Sequence, residues 1–328
     1  MVQVSVVGAG SWGTALAYLL GNKGLSVLLW SRRREVADRI NASRENTAYL
    51  PVKLPSNVRA TSCLEEAVSN TQLIVLTVPA QNLRGVLEQL RALYRPEVPM
   101  VHGAKGIEVG TGLRMSQVAE EILGYPIAVL SGPNHAEEVV RQMPTASVVA
   151  FPDLSVGQFI QEVLSTDRFR VYLEQDLVGV ELGGALKNVI ALAAGISDGL
   201  GYGDNTKAAL ITRGLAEIVR LGMSQGAEPL TFSGLSGLGD LVATCSSKWS
   251  RNRNAGEKIG KGYPLEEVLA GPMVVEGVYT TAAACRLAEK TGVDLPIASA
   301  LMRVLAGEVS PKDAVDELMT RELKLERI

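Results

Sequence analysis

The chain is poor in the residues that build metal centres. Among 328 residues there are two histidines, His102 and His135, and three cysteines, Cys63, Cys245 and Cys285, with no CxxC pair. A zinc site needs about four Cys, His or acidic ligands at short spacings, and scattered cysteines in odd number make no disulfide framework. No metal is therefore expected. Nor is there an excess of one charge: 32 Lys and Arg stand against 35 Asp and Glu, a formal net charge of -3. Nucleic acids and anionic membrane surfaces reward a strong positive excess, so neither is an expected partner, although local cations can still bind small anions. Long hydrophobic runs are missing too. No stretch of about 18 uncharged apolar residues occurs, and the opening MVQVSVVGAG carries no basic leader or cleavage-type segment. The expectation is a soluble, reduced, cytoplasmic protein with no membrane-spanning segment.

What is present is an ordinary globular composition, 47% hydrophobic and 20% charged. At about 100–200 residues per domain the length predicts two domains. Short apolar runs at 2–8, 26–30, 72–78, 98–103, 126–132 and 145–151 read as buried strands, with helical stretches at 14–20, 83–94 and 113–123 between them. Near-continuous apolar strands alternating with helices predict a doubly wound, mostly parallel α/β sheet covered on both faces. After RFRVYLEQD (168–176) the periodicity turns helical, as in 207–225, and glycine-rich stretches at 195–205 and 233–240 read as joints between helices. The expected division is a dinucleotide-binding domain over 1–176 and an all-α substrate domain over 177–328.

VVGAGSWGTALA (6–17) sets Gly8, Gly10 and Gly13 in G-x-G-x-x-G spacing, directly after a strand and opening a helix. The first glycine allows the tight turn, the second lets backbone approach a pyrophosphate, and the third lets helix pack closely on strand. This βαβ context makes the first domain Rossmann-type. At the end of the second strand an NAD site usually carries an acid for the ribose 2′-hydroxyl. Here LLWSRRRE puts Ser31 there, followed by Arg32, Arg33 and Arg34. Guanidinium groups attract a 2′-phosphate and stack on adenine, so NADP(H) is the favoured cofactor, with NAD(H) still open.

VELGGALKNVIALAAG (180–195) reads as a buried helix that accepts two adjacent glycines and one lysine. A helix-interior glycine costs roughly 1 kcal/mol relative to alanine, and lysine is rarely buried. Gly184, Lys187, Ala191, Ala194 and Asp198 share one helix face, a smooth stripe suited to close approach of a ligand or of another helix. Apolar neighbours lower a lysine pKa, as an acid/base amine working near neutrality requires. Lys105 lies between glycines in HGAKGIE (102–108) just after a strand, where parallel sheets bind ligands, although a solvated loop lysine fits the same pattern. SGPNHAEEV (131–139) also follows a strand and opens a helix; its His135 is assigned to structure or to a supporting place behind the site. SKWSRNRNAG (247–256) gathers Ser250, Arg251, Asn252 and Arg253, donors suited to a terminal phosphate.

These segments, with GLGDLVATC (237–245), VVEG (274–277) and the extended ELGGALKNVIALAAGISDGLGYGDN (181–205), resemble bacterial NAD(P)-dependent sn-glycerol-3-phosphate dehydrogenases over essentially the full length. The resemblance implies reversible reduction of dihydroxyacetone phosphate to sn-glycerol 3-phosphate, feeding phospholipid synthesis. It implies Lys187 as acid/base, and Lys105, Gly132, Asn134, Asp240, Ser250, Arg251 and Asn252 as substrate contacts. Ser11, Trp12, Arg32, Arg33, Lys105, Ala136, Arg251, Val274 and Glu276 would form the cofactor shell. The family more often has Ser or Thr where Asn134 stands, and alanine where Thr206 stands. Two other functions stay open at this stage: a related 3-hydroxyacid dehydrogenase and a non-catalytic NADP(H)-binding regulator. So does the assembly, with a homodimer among the options.

Overall fold

The computed structural model describes residues 2–271, 274–323 and 325–326. The chain divides into two compact units, one of residues 1–104 with 115–177, the other of 105–114 with 178–328. The first unit is thus interrupted in sequence by a ten-residue segment that folds with the second.

The first unit holds strands β1 (Gln3–Val7), β2 (Ser26–Trp30), β3 (Glu45–Asn46), β4 (Leu50–Lys53), β5 (Val58–Thr61), β6 (Leu73–Leu76), β7 (Met100–His102), β8 (Ala128–Ser131), β9 (Thr145–Ala150) and β10 (Phe169–Glu174). Its helices are α1 (Ser11–Asn22), α2 (Arg34–Ser43), α3 (Leu64–Val68), α4 (Leu83–Leu90), α5 (Met115–Leu123), α6 (Ala136–Val139) and α7 (Leu154–Leu164). Eight strands form one sheet in the order β10-β9-β8-β7-β6-β1-β2-β5, and β3 pairs with β4 in a small hairpin. The order reverses beside β1, which puts the glycine-rich turn after β1 at the switch point where doubly wound sheets bind ligands. The β1, β6 and β8 interiors are buried on both faces, which explains their near-continuous apolar runs. Val4, Val6, Leu16, Leu20, Leu29 and Val75 are among the fully buried residues of this core.

The sheet is parallel except between β8 and β9, which run antiparallel. The connection from Ser131 to Thr145 contains only the four-residue α6, too little for a crossover helix. A short connection joins antiparallel neighbours instead. The eleven-residue α7 then carries the chain back over, and β9 and β10 pair in parallel.

The second unit holds α8 (Leu177–Gly199), α9 (Asp204–Ser224), α10 (Asp240–Ser246), α11 (Arg251–Gly260), α12 (Leu265–Leu269), α13 (Glu276–Thr291), α14 (Pro296–Leu305) and α15 (Pro311–Met319). Its core includes Leu182, Leu186, Ala191, Leu192, Leu221 and Phe232. Counted by mean hydropathy, which reaches 1.5 over an 18-residue window, α8 is long and apolar enough to cross a membrane. It is not an uncharged run, since Glu181, Lys187 and Asp198 lie within it. Eighty-three per cent of the window is buried inside the structure, so the apolarity serves the core.

The reading of the α8 glycines is corrected. Gly195 and Gly199 do not form a joint: α8 runs to Gly199, and only residues 200–203 separate it from α9. A Cβ added at Gly195 would lie 1.9 Å from the Arg253 carbonyl oxygen, and one at Gly199 2.3 Å from that of Glu257. Conversely, a Cβ at Gly256 would lie 2.0 Å from the Leu192 oxygen and one at Gly260 2.3 Å from that of Ile196. Two glycine pairs, each four residues apart, thus let the backbones of α8 and α11 touch. Helix packing is what these glycines are for. The 233–240 stretch is a π-helical turn, Leu235–Gly239, that leads directly into α10. At the far end of the unit, Glu217 of α9 accepts from the Ile297 and Ala298 amides at 2.6 and 3.2 Å, satisfying the start of α14. Burial pushes its carboxyl up to about 7 although those amides pull the other way.

Candidate active site

In the second unit three charged side chains converge. Lys187 of α8 donates to Asp240 Oδ1 at 2.6 Å, and Lys105 donates to Asp240 Oδ2 at 2.9 Å. One carboxylate therefore holds two amines. Lys187 also donates to Thr244 Oγ1 at 2.5 Å, and that hydroxyl donates to Asp240 Oδ1 at 3.3 Å. Asp240 is the first residue of α10, where the helix dipole favours an anion, and Thr244 stands one turn later on the same face. Lys187 and Asp240 are almost wholly buried, and the Lys105 side chain keeps 18% exposure.

Burial dominates the electrostatics of the amine. It lowers the Lys187 pKa to about 8; the Asp240 carboxylate opposes that shift and the Lys105 ammonium adds to it. Burial alone would raise Asp240, but the ammonium groups of Lys105 and Lys187 outweigh it and hold the carboxyl below its ordinary value. The result is an ionised acid beside an amine able to give or take a proton near neutrality.

A second layer joins these groups to the phosphate-binding candidates. Asn188, next to Lys187, donates to the Lys105 carbonyl at 2.9 Å and accepts from Asn252 Nδ2 at 2.8 Å. Asn252 Oδ1 accepts from the Gly277 amide at 2.8 Å. Ser250 caps α11 by accepting from the Arg253 amide, and Arg251, first residue of that helix, is exposed. Arg253 is committed elsewhere: its guanidinium meets Asp198 at 2.7 Å, as does Lys207. The carboxylate end of the α8 stripe is therefore an ion cluster. Val274 is half-buried and Glu276 opens α13.

The first unit carries the other candidates. Gly8 has φ +120, and a Cβ at Gly13 would lie 1.8 Å from the Gly8 oxygen, so both positions require glycine. Nothing lies within 4 Å of a Cβ at Gly10, which leaves open space beside the N-terminus of α1, an end with no side-chain cap. Bare backbone, a helix N-terminus and room beside it fit a pyrophosphate. Ser11 is buried, its hydroxyl donating to the Tyr49 carbonyl at 3.2 Å, and Trp12 lies against Gly103. Arg32 and Arg33 are exposed at the end of β2, and Arg33 donates to the Tyr49 hydroxyl at 3.1 Å. Gly132 has φ +121, Asn134 donates to Ser147 Oγ at 3.0 Å, and Ala136 begins α6. Among the described residues no group of three or more His, Cys, Asp or Glu could hold a metal ion.

Residue reasoning overlooked Thr244, Asn188 and Asn46. Thr244 had a signal, its i+4 spacing from Asp240. Asn188 had its adjacency to Lys187. Asn46, which donates to the Ala9 carbonyl and to Thr14 Oγ1 at 2.9 and 2.8 Å, had none, because it reaches the glycine-rich turn from more than 30 residues away.

Comparison with known proteins decides what this arrangement belongs to. Residues 3–156 match the model of the NAD-dependent glycerol-3-phosphate dehydrogenase N-terminus and residues 176–316 that of the C-terminus. The chain belongs to the NAD-dependent glycerol-3-phosphate dehydrogenase family. It is 51% identical over 331 residues to a glycerol-3-phosphate dehydrogenase [NAD(P)+] of Geobacter sulfurreducens, covering 99% of each chain. A Thermoanaerobacter relative with the same name is 49% identical, again over 99% of each. The crystal structure of glycerol-3-phosphate dehydrogenase from Coxiella burnetii superposes with a TM-score of 0.94 at 38% identity, covering 98% of this chain and 99% of that one. Family membership extends to both units, so the doubly wound sheet and the helical unit are parts of one dehydrogenase architecture.

Proposed function

We propose that the protein catalyses the reversible reduction of dihydroxyacetone phosphate to sn-glycerol 3-phosphate with NAD(P)H. The observation that carries this reading is a pair of amines, buried Lys187 and partly buried Lys105, held on the single carboxylate of Asp240 in a chain of this family. Bound reduced nicotinamide dinucleotide supplies a hydride to the carbonyl carbon. Lys187, as ammonium, donates a proton from Nζ to the carbonyl oxygen, on which negative charge develops. Lys105 adds a second positive charge at the same place. Asp240 and Thr244 fix the Lys187 amine and leave one of its three protons for the substrate. In the reverse direction neutral Lys187 takes the hydroxyl proton.

Ser250, Arg251 and Asn252 at the start of α11 hold the substrate phosphate in this proposal. Binding energy gained at that remote group orients the reacting carbonyl. Gly132 and Asn134 complete the substrate contacts. The backbone of Gly8, Gly10, Ser11, Trp12 and Gly13 takes the pyrophosphate, and Ala136, Val274 and Glu276 line the rest of the dinucleotide. The three free cysteines fit a reducing compartment, so the proposal places the reaction in the cytoplasm. Mixing purified protein with NADPH and dihydroxyacetone phosphate and following nicotinamide absorbance tests the reading. Turnover with that ketone and none with short 3-keto acids supports it. The opposite preference, or coenzyme binding with no oxidation of NADPH by either substrate, sinks it.

The exposed arginines after β2 carry the coenzyme preference. Changing Arg32 and Arg33 together to Asp places two carboxylates where a 2′-phosphate is proposed to sit. The KM for NADPH then rises by roughly 100-fold, the equivalent of two charge-assisted contacts, while that for NADH changes severalfold at most. Equal changes for the two coenzymes would place the 2′-phosphate elsewhere.

A further inference from the structure

The segment that carries Lys105 has little structure of its own. It makes one isolated antiparallel bridge, Ile107 with Arg114, backed by the Glu108 amide donating to the Leu113 carbonyl at 3.0 Å and Thr111 donating to Glu108 at 2.6 Å. Named contacts attach it to the rest of the second unit. Ile107 is fully buried in that unit's core, Asn188 holds the Lys105 carbonyl, and Arg286 donates to the Val109 carbonyl. At its far end Arg114 forms an ion pair with Glu181, a side chain only 4% exposed on α8.

We propose that Arg114 and Glu181 are positioning residues for the reaction: their ion pair ties the segment bearing Lys105 to the helix bearing Lys187, and so sets the spacing of the two amines. Buried ion pairs are poor sources of stability, because desolvation offsets the attraction. Geometry gives this one a reason to exist. Arg114 is the bridge partner of Ile107, which lies two residues from Lys105, so the pair fixes the register of the turn from which Lys105 reaches Asp240. The groups facing Lys187 are Asp240, Thr244, Lys105 and Cys245. If Lys105 drifts, Lys187 loses a repelling neighbour and keeps the whole charge of Asp240. Both changes favour its ammonium form.

The proposal rests on the dehydrogenase reading, and its test keeps the two apart. The double variant Arg114→Met/Glu181→Gln removes both charges and leaves neither buried alone. Glu181→Asp keeps the pair but shortens its reach by one methylene. The measurements are the melting temperature, the Kd for NADPH, and kcat for dihydroxyacetone phosphate reduction across pH. For each variant that folds, the expected result is unchanged coenzyme affinity, a kcat lower by about tenfold, as for a displaced catalytic group, and an alkaline midpoint moved to higher pH. Wild-type kcat with an unmoved midpoint in either variant overturns the proposal. So does a loss of kcat without movement of the midpoint, the mark of a purely structural pair. Wild-type protein that never turns over the ketone would fail the dehydrogenase reading instead.

Discussion

Lys187→Ala lowers kcat for dihydroxyacetone phosphate reduction by about 1000-fold, the combined size of losing a general acid and one charge aimed at the developing oxyanion. Coenzyme affinity stays within about twofold, because the glycine-rich turn and the arginines after β2 belong to the other unit. The fold tolerates the change: Asp240 keeps its bond to Lys105 and is not left as an isolated buried charge. Lys187→Met gives the same kinetic loss while filling the space of the lysine stem, which separates lost chemistry from a cavity. Steady-state kcat and a fluorescence titration with NADPH read both quantities. Activity within tenfold of wild type in either variant removes Lys187 from the proposed role.

The second large effect is on stability, and it falls where the sequence suggested flexibility. Gly195→Ala and Gly256→Ala each drive a methyl group into a backbone carbonyl, at 1.9 and 2.0 Å. No side chain can rotate away, so α8 and α11 must separate along their whole contact. Overpacking costs typically about 1–3 kcal/mol, and backbone against backbone puts these sites at or above the top of that range. The melting temperature falls by roughly 5–10 °C. Gly85→Ala inside α4 is the matched contrast: a Cβ there meets nothing within 4 Å, and alanine is the better helix former, so stability holds or rises slightly. Thermal unfolding of the three variants checks this. A Gly195 or Gly256 variant as stable as wild type would mean that the two helices are not held in backbone contact.

Much of the fold was legible because its strands are buried on both faces. Near-continuous apolar runs such as QVSVV and LIVL have one reading in a doubly wound protein. The edge strand β5, VRAT, has four residues of which only Arg59 is exposed, and the hairpin strands β3 and β4 have two and four. Segments that short carry no period. The reversal at β9 was also hidden, since it follows from the length of a connection and not from the strand's composition. The glycines of α8 misled for a physical reason: a residue that can break a helix is the same one that lets two helices touch. At the candidate site Lys187 announced itself by the cost of burying it. Asp240 did not, because a carboxylate at a helix start is ordinary until its two amines are seen. Asn188 and Asn46 make their contacts through residues distant in sequence.

The most direct test of Lys187 as the group that gives and takes the proton is the pH dependence of kcat/KM in both directions on the wild-type protein. Reduction needs the ammonium, so its kcat/KM is level below about pH 8, the value to which burial lowers this amine in the free protein, and falls about tenfold per pH unit above it. Oxidation of sn-glycerol 3-phosphate needs the neutral amine, so its kcat/KM rises through the same pH and levels off above it. Mirror-image profiles crossing near pH 8, lost in Lys187→Met, are the predicted result. Profiles that are flat there, or that move in the same direction for both reactions, contradict the account.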